Sequence, residues 1–276
     1  MLDLQIEMFA DDTKYMSPLI QAWYSDEKTQ MIYDASMTWM EAKEGATDCY
    51  FLATSFDLTK KEVAKQLKFP KAFEKGSTPE IAFWLKGFRF SSDSDKPYQF
   101  EISPSKVSNK GLTANVEASE NCERIDITMI AYAQGKKKTA RGTFGTDDAE
   151  GRKANSAEAN GKVQFPEGRF TKAPTVLSAL RSFDLAGGRD LRIGVDIKDV
   201  TKDGFAWTLR KYIDCRRTLA LLTLTQVLGV QSLTTLSMAL KRRMSLSASL
   251  RAVSRYMMYD ALTVLTRQNQ PDHGSA

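Results

Sequence analysis

An internal repeat is the feature that most constrains how this chain can fold. Residues 69–88 (FPKAFEKGSTPEIAFWLKGF) and residues 165–183 (FPEGRFTKAPTVLSALRSF) carry phenylalanine, proline and aliphatic residues in the same order. The similarity continues along the chain, where residues 121–124 (NCER) align with residues 214–217 (DCRR). Because a sequence repeat folds as a repeated structural unit, the body of the chain is predicted to contain two similar units.

A third, partial copy stands at the N-terminus. Residues 3–6 (DLQI) match residues 190–193 (DLRI), and residues 35–40 (ASMTWM) match residues 125–130 (IDITMI). The predicted organisation is a back half-unit at residues 1–43, a complete unit at residues 68–134, the front of a further unit at residues 142–218, and a leucine-, serine- and threonine-rich basic tail at residues 219–276.

The repeats have the pattern of β-structure. Short stretches of β-branched and aromatic residues, often alternating with polar ones, lie between clusters of Gly, Pro, Asn, Asp and Ser, near residues 81–85, 100–102, 125–130, 176–180 and 191–197. This pattern predicts an all-β chain of small antiparallel β-sandwiches. Residues 58–67 have helical spacing, and residues 142–146 are predicted to form an entry strand. The core predicted for the second unit comprises Phe69, Ile81, Phe83, Leu85, Phe100, Ile102, Ile125 and Ile127.

The histidine count removes several classes of enzyme. The one histidine of the chain, His273, lies close to the C-terminus. Ser-His-Asp hydrolysis and H-E-x-x-H zinc chemistry both need histidine inside a packed site. No motif nominates a pair of carboxylates for glycoside hydrolysis. The sequence therefore predicts a protein without catalytic activity.

Cysteine and charge exclude further functions. The three cysteines have no C-x-x-C spacing, so neither a disulfide framework nor a zinc site is predicted, and no cofactor is expected. The net charge is +5, but most of the surplus lies in residues 219–276. The nearly neutral remainder lacks the footprint of a nucleic-acid-binding protein. Since the first residues are acidic and lack an apolar signal segment, a cytoplasmic location or secretion by an unconventional route is expected.

The motifs of the repeats occur in an order that is found in a known protein family. The third copy contains residues 174–176 (PTV), 190–193 (DLRI), 200–205 (VTKDGF) and 212–215 (YIDC), and the first contains residues 23–26 (WYSD) and 33–42 (YDASMTWMEA). In this order they resemble the unit of the H-type lectin family. The resemblance implies a six-stranded antiparallel β-sandwich that binds galactose- or N-acetylgalactosamine-type glycans without a metal. It also implies clefts between neighbouring units, and hence self-association or an intrachain pseudo-trimer.

Site residues follow from the resemblance position by position. The family's strand arginine falls on Arg192 and its aromatic on Tyr212. The second copy has Gln99 and Ser119 at these positions, so it is expected to bind sugar poorly. The carbohydrate-binding residues implied are Arg192, Tyr212 and Asp214 with the entry-loop residues Gly142 and Asp147 in the third copy, and Trp23, Tyr24 and Asp26 in the first.

Packing roles are expected for other conspicuous residues. Trp39 and Trp84 fall on predicted strands, which favours core positions over sugar platforms. Cys122 stands where the family prefers threonine, which favours packing over reactivity. The leading functional hypothesis is a non-enzymatic lectin acting in multivalent glycan recognition or cell adhesion. The alternative is a structural or protein-interaction β-sandwich whose sugar sites have decayed.

The tail and the N-terminal fragment depart from the repeat. Residues 219–240 carry no charge, but their Gln, Thr and Ser residues favour an amphipathic or partner-docking helix, continuing through residues 244–265, over a membrane span. An irregular ending or a degenerate last strand is the alternative. Because the N-terminal fragment lacks its front strands, residues 1–42 are predicted to pack against another unit.

Overall fold

The described part of the chain is built from β-strands. The computed structural model describes residues 49–91, 96–135, 139–150, 158–185 and 193–210 in full, and the backbone of Lys211 and of five outlying strands. The strands are β1 (Leu2–Ala10), β2 (Met16–Tyr24), β3 (Asp34–Lys43), β4 (Cys49–Asp57), β5 (Ala64–Lys68), β6 (Glu80–Phe90), β7 (Tyr98–Ser108), β8 (Gly111–Ala118), β9 (Cys122–Tyr132), β10 (Glu158–Gln164), β11 (Ser182–Leu185), β12 (Ile193–Lys198), β13 (Gly204–Lys211), β14 (Thr235–Leu236) and β15 (Tyr256–Leu265). The predicted all-β class is confirmed.

Six antiparallel strands of the second unit form a β-sandwich. One sheet contains β6-β9-β4 and the other contains β7-β8-β5, so this unit has the architecture that the resemblance implies. Both sheets also contain strands from outside the unit. The β1–β2 hairpin extends the first sheet beside β6, and β11 of the third repeat extends the second sheet beside β7.

The predicted core of this sandwich is confirmed. All eight apolar residues expected to face inward are at most 7% exposed, and five of them lie on β6 and β9, in the middle of the first sheet. Burying a side chain of this size contributes about 1.5–3 kcal/mol. Trp84 is also fully buried, as expected, whereas Trp39 lies on β3, whose side chains are outside the described residues.

The turn after β7 anchors the loop that follows β5. Phe73 N–H donates to Asn109 O (2.8 Å), and Asn109 Nδ2 donates back to Phe73 O (3.2 Å). Glycine is required at position 111, because a Cβ there would lie 2.3 Å from the carbonyl oxygen of Leu67. The Asn109–Lys110–Gly111 turn therefore closes a hairpin and allows β5 to approach it.

The second unit begins earlier than its repeat motif. The helical spacing of residues 58–67 is misleading: residues Leu58–Lys60 form one 3₁₀ turn, and Ala64–Lys68 form β5 along β8. Lys61 ends the turn in the left-handed region (φ 59°), so the helix does not continue. Pairing with β8 overrides the local pattern, as tertiary contacts often do for short segments. The strand before this turn, β4, lies beside β9 and also belongs to the sandwich.

The third unit contributes one antiparallel sheet in the order β10-β13-β12. Two strands predicted for this unit are absent from the described residues: residues 142–146 are irregular and lead into a 3₁₀ turn at Thr146–Asp148, and residues 176–180 form no ladder. The counterpart of residues 176–180 in the second unit is β6, which forms its ladder with β9. Residues 215–225, which align with β9, lie outside the described residues, so the part of the chain that is described holds no such partner for residues 176–180.

The N-terminal fragment pairs within the chain. β1 runs antiparallel to β6, from Leu2 opposite Phe90 to Gln5 opposite Gly87. This confirms the expectation that residues 1–42 pack against another unit. The pseudo-trimer remains a prediction.

The tail expectation is wrong where the structure describes it. Residues 256–265 form β15, paired along the whole of β3, rather than a helix. The edge of β3 offers backbone donors and acceptors that outweigh local helical spacing. Residues 219–234 lie outside the described residues. Within the part of the chain that is described, no helix is long and apolar enough to cross a membrane.

Candidate functional site

The sheet β10-β13-β12 has one apolar and one polar face. On β13, Phe205, Trp207 and Leu209 are buried, and the residues between them point to the other side. The polar face is thereby formed by alternate residues of the three strands. Its charged and hydrogen-bonding members are Glu158, Asn160, Lys162, Asp196, Lys198, Thr208 and Arg210.

A guanidinium joins the three strands on this polar face. Arg210 Nε lies 3.1 Å from Glu158 Oε1 on β10, and Arg210 Nη2 lies 2.6 Å from Asp196 Oδ2 on β12. One register step away, Thr208 Oγ1 donates to Asn160 Oδ1 (2.7 Å). The face is therefore an ordered array of donors and acceptors. Sequence reasoning missed Arg210; its signal was its place in the alternating pattern of β13, two residues before Tyr212 in sequence.

Tightly packed apolar residues lie on the opposite face of the sheet from these polar groups. The Trp207 indole is 1% exposed and stacks on the Phe144 ring (centroids 4.9 Å apart). Gly161 on β10 lies directly against the indole, because a Cβ at Gly161 would be 2.3 Å from Trp207 Cζ2. Gly161 therefore lets the tryptophan fill the space under the polar face.

Gly161→Ala is expected to lower the free energy of unfolding by about 1–3 kcal/mol, the usual cost of overpacking a core. The added methyl group must displace the Trp207 indole, which is buried and surrounded by other side chains. Gly142→Ala is the matched control, since a Cβ there meets nothing within 4 Å. Urea unfolding of both variants tests this expectation, and an equal effect of the two substitutions would contradict it.

The entry-loop residues Gly142 and Asp147 are held beside this sheet. Phe144, between them in sequence, contacts Phe205 and Trp207 on the apolar face. The loop is closed by Gly145 N–H, which donates to Asp148 Oδ2 (2.9 Å). Gly142 is half-exposed and Asp147 is exposed at the surface of the 3₁₀ turn. Both residues therefore lie in a loop that packs on the third unit, and their part in sugar binding stays a prediction.

Other predicted site residues fall outside the described residues. Arg192, Tyr212, Asp214 and Asp26 are among these, so nothing is known of their contacts. Trp23 and Tyr24 lie at the end of β2, where the backbone places Trp23 opposite Asp3 and Tyr24 opposite Leu2.

The second unit shows how the two key repeat positions are related. Gln99 and Ser119, which align with Arg192 and Tyr212, are neighbours on β7 and the end of β8. Ser119 N–H donates to Gln99 O (3.0 Å), and Gln99 N–H donates to Ser119 Oγ (3.3 Å). In this fold the strand position and the loop position therefore meet across one ladder.

The titratable groups buried in the second unit are unreactive. Burial raises the pKa of the Cys122 thiol to about 12, so it stays protonated at neutral pH. Burial, followed by the hydrogen bond to Glu80 (2.8 Å), raises the pKa of Tyr132. The packing role assigned to Cys122 fits its 4% exposure. Among the described residues, no cluster of His, Cys, Asp and Glu has the arrangement of a metal site.

Comparison with known proteins agrees with the motif order. No curated protein and no solved structure matches the chain. Residues 64–132, from β5 to β9, and residues 160–217, which include β10, β11, β12 and β13, both match the model of one family. That family is the one the repeated motifs resemble, the H-type lectin domain.

Proposed function

We propose that this protein is a carbohydrate-binding lectin whose principal site lies on the polar face of the third unit, centred on Arg192 and Tyr212. The observation that carries the proposal is the H-type lectin domain match at residues 160–217, which contains both residues and Asp214. The match names a sugar-binding family, and the polar face supplies chemistry suited to hydroxyl groups.

The register of the third sheet supports the pairing of Arg192 with Tyr212. The last described pair of this ladder is Ile193 opposite Lys211. We propose that the ladder continues with one more pair, Arg192 opposite Tyr212. The aligned residues of the second unit, Gln99 and Ser119, pair in this way. Since side chains alternate, the added pair shares the face of Asp196 and Arg210.

Arginine and tyrosine are suited to a galactose-type sugar. A guanidinium donates in a planar fork to two adjacent hydroxyls, and an aromatic ring covers the apolar C–H face of the pyranose. Arg210 already forms ion pairs with two carboxylates. It is therefore proposed to fix the position of Asp196, while Arg192 contacts the sugar. Asp214, Gly142 and Asp147 are proposed to line the rim.

The first fragment is proposed as a second, weaker group of contacts. Trp23, Tyr24 and Asp26 supply an aromatic surface and a carboxylate, and β1 ties this fragment to β6. Linked sites of low affinity gain avidity on a surface that carries many glycans. Multivalent glycan recognition or cell adhesion is therefore the proposed role, in the cytoplasm or after unconventional secretion.

Glycan-array binding of the whole protein tests the proposal. A profile restricted to galactose- and N-acetylgalactosamine-terminated glycans is expected. The alternative, a structural or protein-interaction sandwich with decayed sites, is favoured locally by Gln99 and Ser119, which lack the fork and the ring. A correctly folded protein that binds no glycan on the array would support that alternative and reject the lectin.

A further inference from the structure

Four exposed lysines lie together at the end of the second unit where β7 turns into β8. Lys68 is the last residue of β5, and the next N–H, that of Phe69, donates to Lys110 O in this turn (2.9 Å). Lys106 lies on β7 shortly before the turn, and Lys71 lies in the loop after β5 that the turn anchors. All four lysines are exposed, and together they are here called the lysine patch.

The charges of the lysine patch are not neutralised by neighbours. No carboxylate in the described part of the chain forms an ion pair with any of the four lysines. Elsewhere on the same strand Lys65 is paired, with its Nζ 3.0 Å from Glu62 Oε2. Glu74 and Lys75, in the loop that follows β5, add no net charge. The patch therefore presents a concentrated positive charge to solvent.

The third unit has the same backbone at this end but not the same charge. Phe165 N–H donates to Asp203 O (2.8 Å), the hydrogen bond that also joins the aligned residues of the second unit. With Lys198 and Lys202 close by, this end is nearly neutral. The fold therefore forms without lysine at the positions of the patch. The residues aligned with the four lysines are Gln164, Glu167, Asp199 and Asp203.

The backbone conformation does not explain the lysine at position 106 either. Lys106 and its aligned residue Asp199 both have a φ of 51°, in the left-handed region. Aspartate is better suited than lysine to this region, because its short side chain can form local hydrogen bonds. The property that Lys106 adds to this position is therefore its positive charge.

The surroundings of the patch suit a partner that is polar throughout. Among the described residues, Val63 is the one large apolar side chain that is exposed. The patch therefore has no aromatic ring on which a nucleobase could stack, and no apolar surface to anchor a peptide. Lysine ammonium groups on flexible stems pair with anions as point charges and need no fixed planar geometry. Sulfate groups along a polysaccharide match these properties.

We propose that the lysine patch binds a sulfated polysaccharide through its sulfate groups. Such a polymer carries closely spaced negative charges and no apolar side chains. In the described part of the chain, β5 is the last strand of its sheet, so a polymer can lie along it without displacing a neighbouring strand. The patch shares no residue with the galactose-type site proposed for the third unit, so the proposal does not depend on that site.

Calorimetric titration of the whole protein with heparin tests the proposal. The patch variant combines Lys68→Gln, Lys71→Gln and Lys110→Gln, and Lys106 is left in place because of its backbone conformation. The affinity for heparin should fall roughly tenfold or more, since three exposed charge pairs are lost. The affinity of the wild type should also fall as salt is added. Completely desulfated heparin, which keeps its carboxylates, should bind much more weakly.

A matched control removes the same amount of positive charge outside the patch. Lys96→Gln, Lys172→Gln and Lys202→Gln together change three exposed lysines, two of them in the third unit. This variant should keep most of the affinity for heparin. Equal losses in the control variant and the patch variant would show that net charge alone attracts the polymer, and would overturn the proposal.

A gain of binding tests the same idea if the patch variant folds poorly. Gln164→Lys, Glu167→Lys and Asp203→Lys together transfer the patch to the third unit, and should increase the number of heparin chains or segments bound. An unchanged number, no binding of heparin to the wild type, or equal binding of desulfated heparin would overturn the proposal. Polyglutamate bound as tightly as heparin would point to an acidic peptide and would overturn it as well.

Discussion

Phe183→Ala is expected to lower the free energy of unfolding by about 3–5 kcal/mol, the range for truncating a buried aromatic residue, and to loosen the second unit in particular. Phe183 is 1% exposed and touches Phe88, Phe90 and Phe100, all on strands of the second unit. The substitution therefore opens a cavity between β6 and β7, although the residue belongs by sequence to the third repeat.

Hydrogen exchange with amide resolution locates the effect. Protection should fall first in β6 and β7 for Phe183→Ala. Phe165→Ala is the control, because Phe165 packs on Phe170 and Phe205 in the third unit. That variant should loosen β13 instead. Loss of protection confined to the third unit in both variants would contradict the assignment of β11 to the second sandwich.

Arg192→Ala is expected to weaken galactoside binding roughly ten- to hundredfold. A hydrogen bond to a charged group contributes about 1.5–3 kcal/mol, and each 1.4 kcal/mol corresponds to about a factor of ten in Kd. Arg192→Lys should lose most of the same affinity, since lysine keeps the charge but not the planar fork. Calorimetric titration of both variants measures the loss directly.

The aligned position in the second unit supplies the control for this prediction. Gln99 is exposed and lies beside Ser119, where the third repeat has tyrosine. Gln99→Ala is therefore expected to leave the affinity unchanged. Equal losses in Arg192→Ala and Gln99→Ala, or no loss in Arg192→Ala, would mean that the third unit does not hold the principal site. Trp23 and Tyr24 would then be the residues to test.

Alternation along the strands was enough to predict the core of the second unit. Ile81, Phe83 and Leu85 alternate with Ala82 and Trp84, and period two assigns each set to one face of β6. The same pattern does not reveal what covers the second face. Trp84 is buried by Leu177 and Ala179 of a different repeat, a contact between segments far apart in sequence.

The packing of residues 176–185 on the second unit was not predictable for the same physical reason. Residues 176–180 have a strand pattern, but a strand needs a neighbour, and the pattern does not say which one is available. In the second unit the equivalent strand, β6, pairs with β9, whereas β11 pairs with β7. The candidate site was recognised through motif order, yet Arg210 was missed because its role depends on Glu158 and Asp196, which are distant in sequence.

Chemical-shift mapping with N-acetylgalactosamine tests directly whether the sugar binds at the third unit. Amide resonances of the isotopically labelled whole protein are followed as the sugar is added, with N-acetylglucosamine as the control sugar. Saturable shifts are expected at the start of β12 and the end of β13, near Ile193 and Arg210, and none near Gln99. Shifts confined to the second unit, or equal responses to the two sugars, would contradict a galactose-type site on the third unit.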